Sequence, residues 1–152
     1  MLTTGDVAPD FTFRSQDGSI HSLSEYSGLK NVVLFFYPKA DTAGCTIEAC
    51  SFRDHFDEFA GLDAVIIGVS HDQQPELNAF KVKRSLPFFL VSDPGGEIYE
   101  KFQVKSFLNF ISPRVTFVIG TDGKIAWEFS SMIRFAEHAK GALRFLQSLE
   151  SA

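Results

Sequence analysis

"NVVLFFYPKADTAGCTIEAC", residues 31–50, decides how the chain is read. Asn31 to Tyr37 is a continuous apolar run, as a strand covered on both faces requires. Pro38 stops it. From about Ala43 to Ala60 the pattern is helical, with Cys45, Ala49, Phe52, Phe56 and Phe59 spaced to share one face. Gly61 ends the helix. Strand, sharp turn and helix therefore bring both cysteines of the chain, Cys45 and Cys50, to the first turns of one helix.

The remaining elements follow outward from this unit. Upstream, Phe11 to Arg14 alternates into the turn signal Asp17-Gly18 and returns through Ser19, Ile20 and His21 as a hairpin. Downstream, Ala64 to Ser70 is a second buried strand, followed by a helix from about Pro75 to Arg84 with Pro75 at its first position. Phe88 to Val91 is a short strand, Ser92 to Gly96 a loop, and Ile98 to Phe102 a short helical stretch. Val115 to Gly120 and Ile125 to Phe129 flank Thr121 to Lys124 as an antiparallel hairpin, and an amphipathic helix covers about Phe135 to Leu149. The order β-α-β-α-β, then β-hairpin and α, predicts an α/β chain with a mixed central sheet flanked by helices. It is a thioredoxin-like arrangement with an N-terminal β-hairpin extension and an insertion. With no linker or repeat in the sequence, residues 1–152 are expected to form a single domain.

Composition removes several function classes. Apolar residues make up 45% and charged residues 22% of the chain, the range of a globular domain able to bury a core. Several of the 17 phenylalanines fall at helix or strand spacing, so most of that excess is expected in the core. A net charge of −5 gives no basic face for nucleic acid, and Lys81 to Arg84 is too short a run to make one. No apolar segment approaches the roughly 18 residues of a membrane span, and the start lacks the basic and apolar regions of a secretory signal. A cytoplasmic, reducing location is the expectation, and there a cysteine pair is more often catalytic or redox-sensing than structural.

A cysteine at the start of a helix has a physical reason to react. Unpaired backbone N–H groups and the positive end of the helix dipole stabilise an anion within the first turn, and thiolates are favoured in such places. Asp41, Thr42 and Gly44 supply capping and turn chemistry ahead of Cys45. The apolar strand and the Phe-lined helix face keep the site partly dry, which strengthens fixed dipoles.

The stretch resembles the peroxiredoxins, and most closely their bacterioferritin comigratory protein (Q-type) branch. Pro38, Thr42 and Cys45 match Pro-x-x-x-Thr/Ser-x-x-Cys, and Thr46, Glu48, Ala49, Cys50, Phe52, Arg53 and Asp54 match the Q-type continuation. Pro113-Arg114-Val115-Thr116-Phe117-Val118-Ile119 looks like the family's arginine strand. Ala8 to Phe11 and Val91 to Asp93 fit as well, so the resemblance runs along nearly the whole chain. One departure is Ala43, where members commonly carry Pro at the first helical position. A slightly looser active-site turn is expected from it.

The resemblance implies a thiol-dependent peroxidase that reduces hydrogen peroxide and organic hydroperoxides. In it Cys45 is the peroxidatic nucleophile, Thr42 hydrogen-bonds thiolate and peroxide, and Arg114 holds the sulfur anionic and clamps the peroxide oxygens. Pro38 shields the thiolate, Glu48 orients Arg114, and Cys50 resolves the sulfenic acid as an intramolecular disulfide, an atypical 2-Cys cycle. The resemblance further implies recycling by thioredoxin, no metal or organic cofactor, and a monomer, although the Phe-rich stretch near residues 107 to 110 offers a dimer surface.

Five residues apart on an α-helix, two Cα atoms lie roughly 8.7 Å from each other and about 140° apart around the axis. The limit for a disulfide is about 7 Å. Pairing Cys45 with Cys50 therefore requires the helix to unwind around residues 43–52. Two other classes compete with the peroxidase: a general thiol–disulfide oxidoreductase, disfavoured by the missing Cys-x-x-Cys, and a redox-switched binding protein in which unwinding is the signal. His55 makes a loose Cys45, Cys50, His55 set for zinc, but its members face different ways and no fourth ligand is near. His21, His71 and His138 are isolated and expected to face solvent.

Overall fold

β3 (Asn31–Phe36) is the spine of the sheet. It pairs in parallel with β4 (Ala64–Ser70) and antiparallel with β6 (Val115–Ile119), and β5 (Phe89–Ser92) and β7 (Ile125–Ser130) close the edges in the order β5-β4-β3-β6-β7. The structure is a computed structural model describing residues 1–105 and 113–151. The stretch at residues 107 to 110, expected to offer a dimer surface, lies outside the described residues.

The apolar run of β3 serves two cores because its side chains alternate. Val33, Phe35 and Tyr37 enter one core with α1 (Ala43–Asp54), α2 (Phe56–Gly61), α3 (Gln74–Arg84) and α5 (Glu137–Glu150). Val32, Leu34 and Phe36 enter the other, closed by the ribbon of β1 (Thr12–Arg14) and β2 (Ile20–Ser22) and by α4 (Glu97–Lys101). Helices do lie on both faces, as expected, but unequally: the second face is covered largely by the N-terminal ribbon. That ribbon is a separate two-stranded sheet, turned by Gly18 at φ 90°. Ten phenylalanines, Phe11, Phe13, Phe35, Phe36, Phe52, Phe59, Phe80, Phe88, Phe102 and Phe117, are buried, which accounts for much of the excess in composition.

Several boundaries differ from the sequence pattern. The helix expected over 43–60 breaks at His55, which leaves helical geometry at φ −107° and ψ 12°. The break bends α2 onto β4 while Phe59 still reaches the same core. α3 begins at Gln74, so Pro75 occupies its second position, where an N–H is also dispensable. α3 ends at Ser85 in the left-handed region, where the N–H groups of Ser85 and Leu86 close the last carbonyls. A short 3-10 helix, Leu23–Tyr26, was not legible from periodicity.

Gly68 in β4 marks the tightest point of the sheet. A Cβ there would meet Phe35 Cζ at 2.7 Å and Leu90 Cδ2 at 3.1 Å. Phe35 cannot yield, since its ring stacks on Phe52 with centroids 4.4 Å apart inside the buried core. Gly68→Ala is therefore expected to destabilise the protein by about 1–3 kcal/mol, read as a lower midpoint in urea at unchanged slope.

Candidate active site

Cys45 is the third residue of α1, behind Thr42 as N-cap, Ala43 and Gly44. It is buried and is a free thiol. Thr46 N–H closes the first turn onto Thr42 O at 2.8 Å. The Thr42 side chain makes no cap bond; its hydroxyl donates to Lys39 O at 2.8 Å. No side-chain oxygen of Thr42 therefore competes for the first-turn N–H groups, which stay oriented toward an anion at the helix start.

The turn ahead of the helix is held from two sides. Asp72, buried after β4, accepts hydrogen bonds from Ala40 N at 2.7 Å and Ser70 Oγ at 2.8 Å. Asp41 sits in the left-handed region at φ 61°, which Asp tolerates better than most residues. Its carboxylate pairs with Lys83 at 2.8 Å and Arg84 at 3.4 Å, and the bond from Lys83 leads in drawing its pKa down. At the far end of α1, Arg53 Nη1 donates to Arg84 O at 2.7 Å. The last turn of α3 thus fastens both ends of the helix that carries the cysteines. Ala43 stands exposed at the first helical position, where the resemblance expects Pro, and these contacts hold the turn in its place.

Arg114 enters just before β6 and is buried to 5% exposure. Its Nη1 donates to Cys45 Sγ at 3.3 Å and to Glu48 Oε2 at 3.3 Å. The guanidinium lies over the Phe135 ring, 4.9 Å from its centroid. Gly44 permits this approach: a Cβ there would stand 2.6 Å from Phe135 Cε1 and 3.2 Å from Arg114 Nη2. Glu48, one turn after Cys45, is fully buried at 0% exposure. Burial pushes its carboxyl up to about 8 against the pull of the Arg114 charge.

The structure thus brings Cys45, Arg114 and Glu48 together. Pro38 is half-buried at the start of the turn, and Thr42 lies on its exposed side. Cys50 is half-buried on the same helix and unbonded to Cys45.

The histidines correct the sequence expectation. His138 is fully buried, not solvent-facing, on the α5 stripe. Its Nδ1 accepts from Thr116 Oγ1 at 2.8 Å, its Nε2–H donates to Ser131 O at 2.9 Å, and Glu48 Oε2 lies 3.8 Å from Nε2. Position 138 lies one turn before Ala142, so the periodicity carried this signal. His71 stacks on Tyr99 with centroids 4.0 Å apart, and His21 lies between Phe13 and Phe89. Both are half-buried because an aromatic face covers one side of each ring. His55 pairs with Glu58 at 2.8 Å. Asp72 and Phe135 are site residues that sequence reasoning missed, since neither stands near Cys45 in the chain.

The AhpC/TSA family model matches residues 4–128, and the chain belongs to that family. It is a peroxiredoxin, an enzyme that reduces peroxides through thiol chemistry. Its relatives are of the Q/Bcp kind. Peroxiredoxin Bcp of Bacillus subtilis is 42% identical over 97% of both chains. The chloroplastic Peroxiredoxin Q of Suaeda salsa is 38% identical over 97% of this chain and 69% of its own length. The crystal structure of Peroxidoxin BcpB from Mycobacterium tuberculosis superposes with a TM-score of 0.90 at 38% identity, covering 98% of this chain and 99% of that one. The thioredoxin-like fold expected from the element order is the fold of this family. Among the described residues, no helix is long and apolar enough to cross a membrane.

Burial pushes His138 down to about 4 from an ordinary 6.5. The folded state therefore keeps the ring neutral where the unfolded chain would protonate it. The stability that His138 contributes is complete above pH 6.5 and is lost as pH falls through 4. Urea titrations of wild type and His138→Gln are expected to diverge above pH 6.5 and converge on acidification.

Proposed function

We propose that Cys45 is the peroxidatic nucleophile and Cys50 the resolving cysteine of an intramolecular 2-Cys cycle. The carrying observation is the 3.3 Å contact of Arg114 Nη1 with the buried Cys45 sulfur at a helix N-terminus. A cation and oriented N–H groups stabilise a thiolate, and the thiolate is the form that attacks O–O. Hydrogen peroxide and organic hydroperoxides are the substrates. Attack forms an S–O bond at Cys45, breaks O–O and sends the electron pair onto the departing oxygen.

The other residues act around that event. Arg114, already positioned, stabilises charge on the peroxide oxygens. Thr42 donates to Lys39 O, so its hydroxyl offers lone pairs to a peroxide O–H. Pro38 limits access of water to the sulfur, and Glu48 orients Arg114 through their 3.3 Å contact.

Cys50 then attacks the Cys45 sulfenic acid, releasing water and leaving a disulfide. Peroxiredoxins work with thioredoxin-type reductants, and thioredoxin itself is the proposed reductant here. The chain works as a monomer of one domain in the cytoplasm, where such reductants are available. A general disulfide oxidoreductase is less well supported, because each exchange would require α1 to unwind and refold.

Rapid mixing with peroxide tests the reading. Cys45→Ser is expected to lose activity by at least about 1,000-fold, the scale of removing a nucleophile. Cys50→Ser should complete one turnover, leave a sulfenic acid that a dimedone-type reagent traps, and fail to cycle with thioredoxin. A fully active Cys45→Ser protein would overturn the assignment.

A further inference from the structure

The cluster behind Cys45 holds one cation and two groups able to become anions. Cys45 and Glu48 come from α1, Arg114 precedes β6 and His138 comes from α5, with exposures of 1%, 0%, 5% and 0%. Tyr37, after β3, also lies near Glu48, and burial raises it so that it stays neutral. His138 cannot offset an anion: its Nε2–H is given to Ser131 O, and its Nδ1 accepts from Thr116. Arg114 is the cation of this cluster that faces both Cys45 and Glu48.

Arg114 divides a single N–H-bearing nitrogen, Nη1, between the two candidates at 3.3 Å each. The second oxygen of Glu48, Oε1, is buried with no partner among the described residues. Two anions on one cation in a dry site are the arrangement in which one group keeps its proton. Burial raising the Glu48 carboxyl works in the same direction. If Cys45 is the thiolate, Glu48 is the acid.

We propose that Glu48 is the proton store of the catalytic cycle, protonated while Cys45 is a thiolate and ionised once peroxide has oxidised Cys45, when the lost thiolate charge leaves Arg114 to the carboxylate. This rests on the reading of Cys45 and Cys50 given above. The thiolate supplies the electron pair that makes S–O as O–O breaks, and the departing oxygen needs a proton. Cys50 then makes S–S as S–O breaks, its own thiol proton leaving with the hydroxyl as water. In sum, Cys45–S⁻, Cys50–SH, Glu48–COOH and ROOH give the disulfide, Glu48–COO⁻, ROH and H₂O. Protons and charge balance with none drawn from the surrounding buffer. The proton reaches the departing oxygen through water, since Glu48 touches Arg114 and not the reacting atoms; it is a positioning residue with a proton to give.

The position of Glu48 in the chain makes the exchange automatic. It lies between Cys45 and Cys50, inside the segment that must unwind for the sulfurs to meet. Unwinding carries the carboxylate into water, where it stays ionised; refolding after reduction buries it and recovers the proton. The proton-linked support of the intact helix is full below pH 4.5 and is lost as pH rises through about 8.

The test is one oxidation of the full chain by hydrogen peroxide near neutral pH, followed by difference infrared spectroscopy and by an indicator dye in weak buffer. A protonated-carboxyl band is expected in the reduced protein, shifted by isotope-labelled glutamate, lost in the disulfide form and absent from Glu48→Gln. The wild type should exchange no net proton with the buffer, and Glu48→Gln should take up one per peroxide. If Glu48→Gln does not fold, the labelled wild-type band decides alone. Loss of no glutamate band, or uptake of one proton by wild type, overturns the proposal. Disulfide formation is followed in the same sample. If it proceeds normally, only the proton store fails; if Cys45 and Cys50 do not pair, the underlying assignment fails and the proposal falls with it.

Discussion

The site depends on one buried nitrogen. Arg114 Nη1 stands 3.3 Å from both Cys45 Sγ and Glu48 Oε2. A guanidinium taken from water costs several kcal/mol unless anions and dipoles replace its hydration. The fold supplies them from different elements: the sulfur and the carboxyl from α1 and the Phe135 face from beside α5. The strand that begins at Val115 sets where the guanidinium lies, and Gly44 leaves it room. Any change that moves α1 against β6 leaves a buried charge unbalanced, which ties the thiol chemistry to the integrity of the helix.

If Cys45 and Cys50 pair as proposed, the same helix must serve two incompatible states. Presenting Cys45 to peroxide needs the N-terminal turn intact, and joining Cys45 to Cys50 needs it open. The contacts around α1 reflect this balance. Its ends are fastened to the last turn of α3 through Asp41 with Lys83 and Arg84, and through Arg53 with the Arg84 carbonyl. The outer pairs are exposed ion pairs, weakened by water and salt. Between the ends, Cys45, Ala49 and Phe52 are buried, so opening costs apolar burial as well. The segment is thus held by exposed ion pairs ahead of its first turn and by apolar burial between its ends.

What the sequence disclosed depends on how far apart the interacting residues lie. β3 was legible because Val32 to Phe36 had to be apolar on both faces. The approach of Arg114 to Cys45 was legible because Pro38, Thr42, Cys45 and Arg114 combine in a family pattern, and three of them lie within eight residues. The break at His55 was invisible, since Phe59 keeps the helical spacing across it. His138 was readable from its place one turn before Ala142, but a lone histidine looks like a surface residue until Thr116 and Ser131 are seen to satisfy both nitrogens. The bonds of Asp72 to Ala40 and of Asp41 to Lys83 join residues far apart in the chain and follow no local periodicity. Those contacts hold the turn ahead of Cys45, which Ala43 alone would leave less firmly set.

Hydrogen exchange on the two redox forms tests most directly whether one segment occupies both states. In the reduced protein, the amides of Thr46 to Ser51 are expected to be protected as members of a helix closed at both ends. In the Cys45–Cys50 disulfide form they should exchange faster by at least about 100-fold, as locally opened amides do, while β3 and β4 keep their protection. Equal protection of Thr46 to Ser51 in both forms would contradict the account.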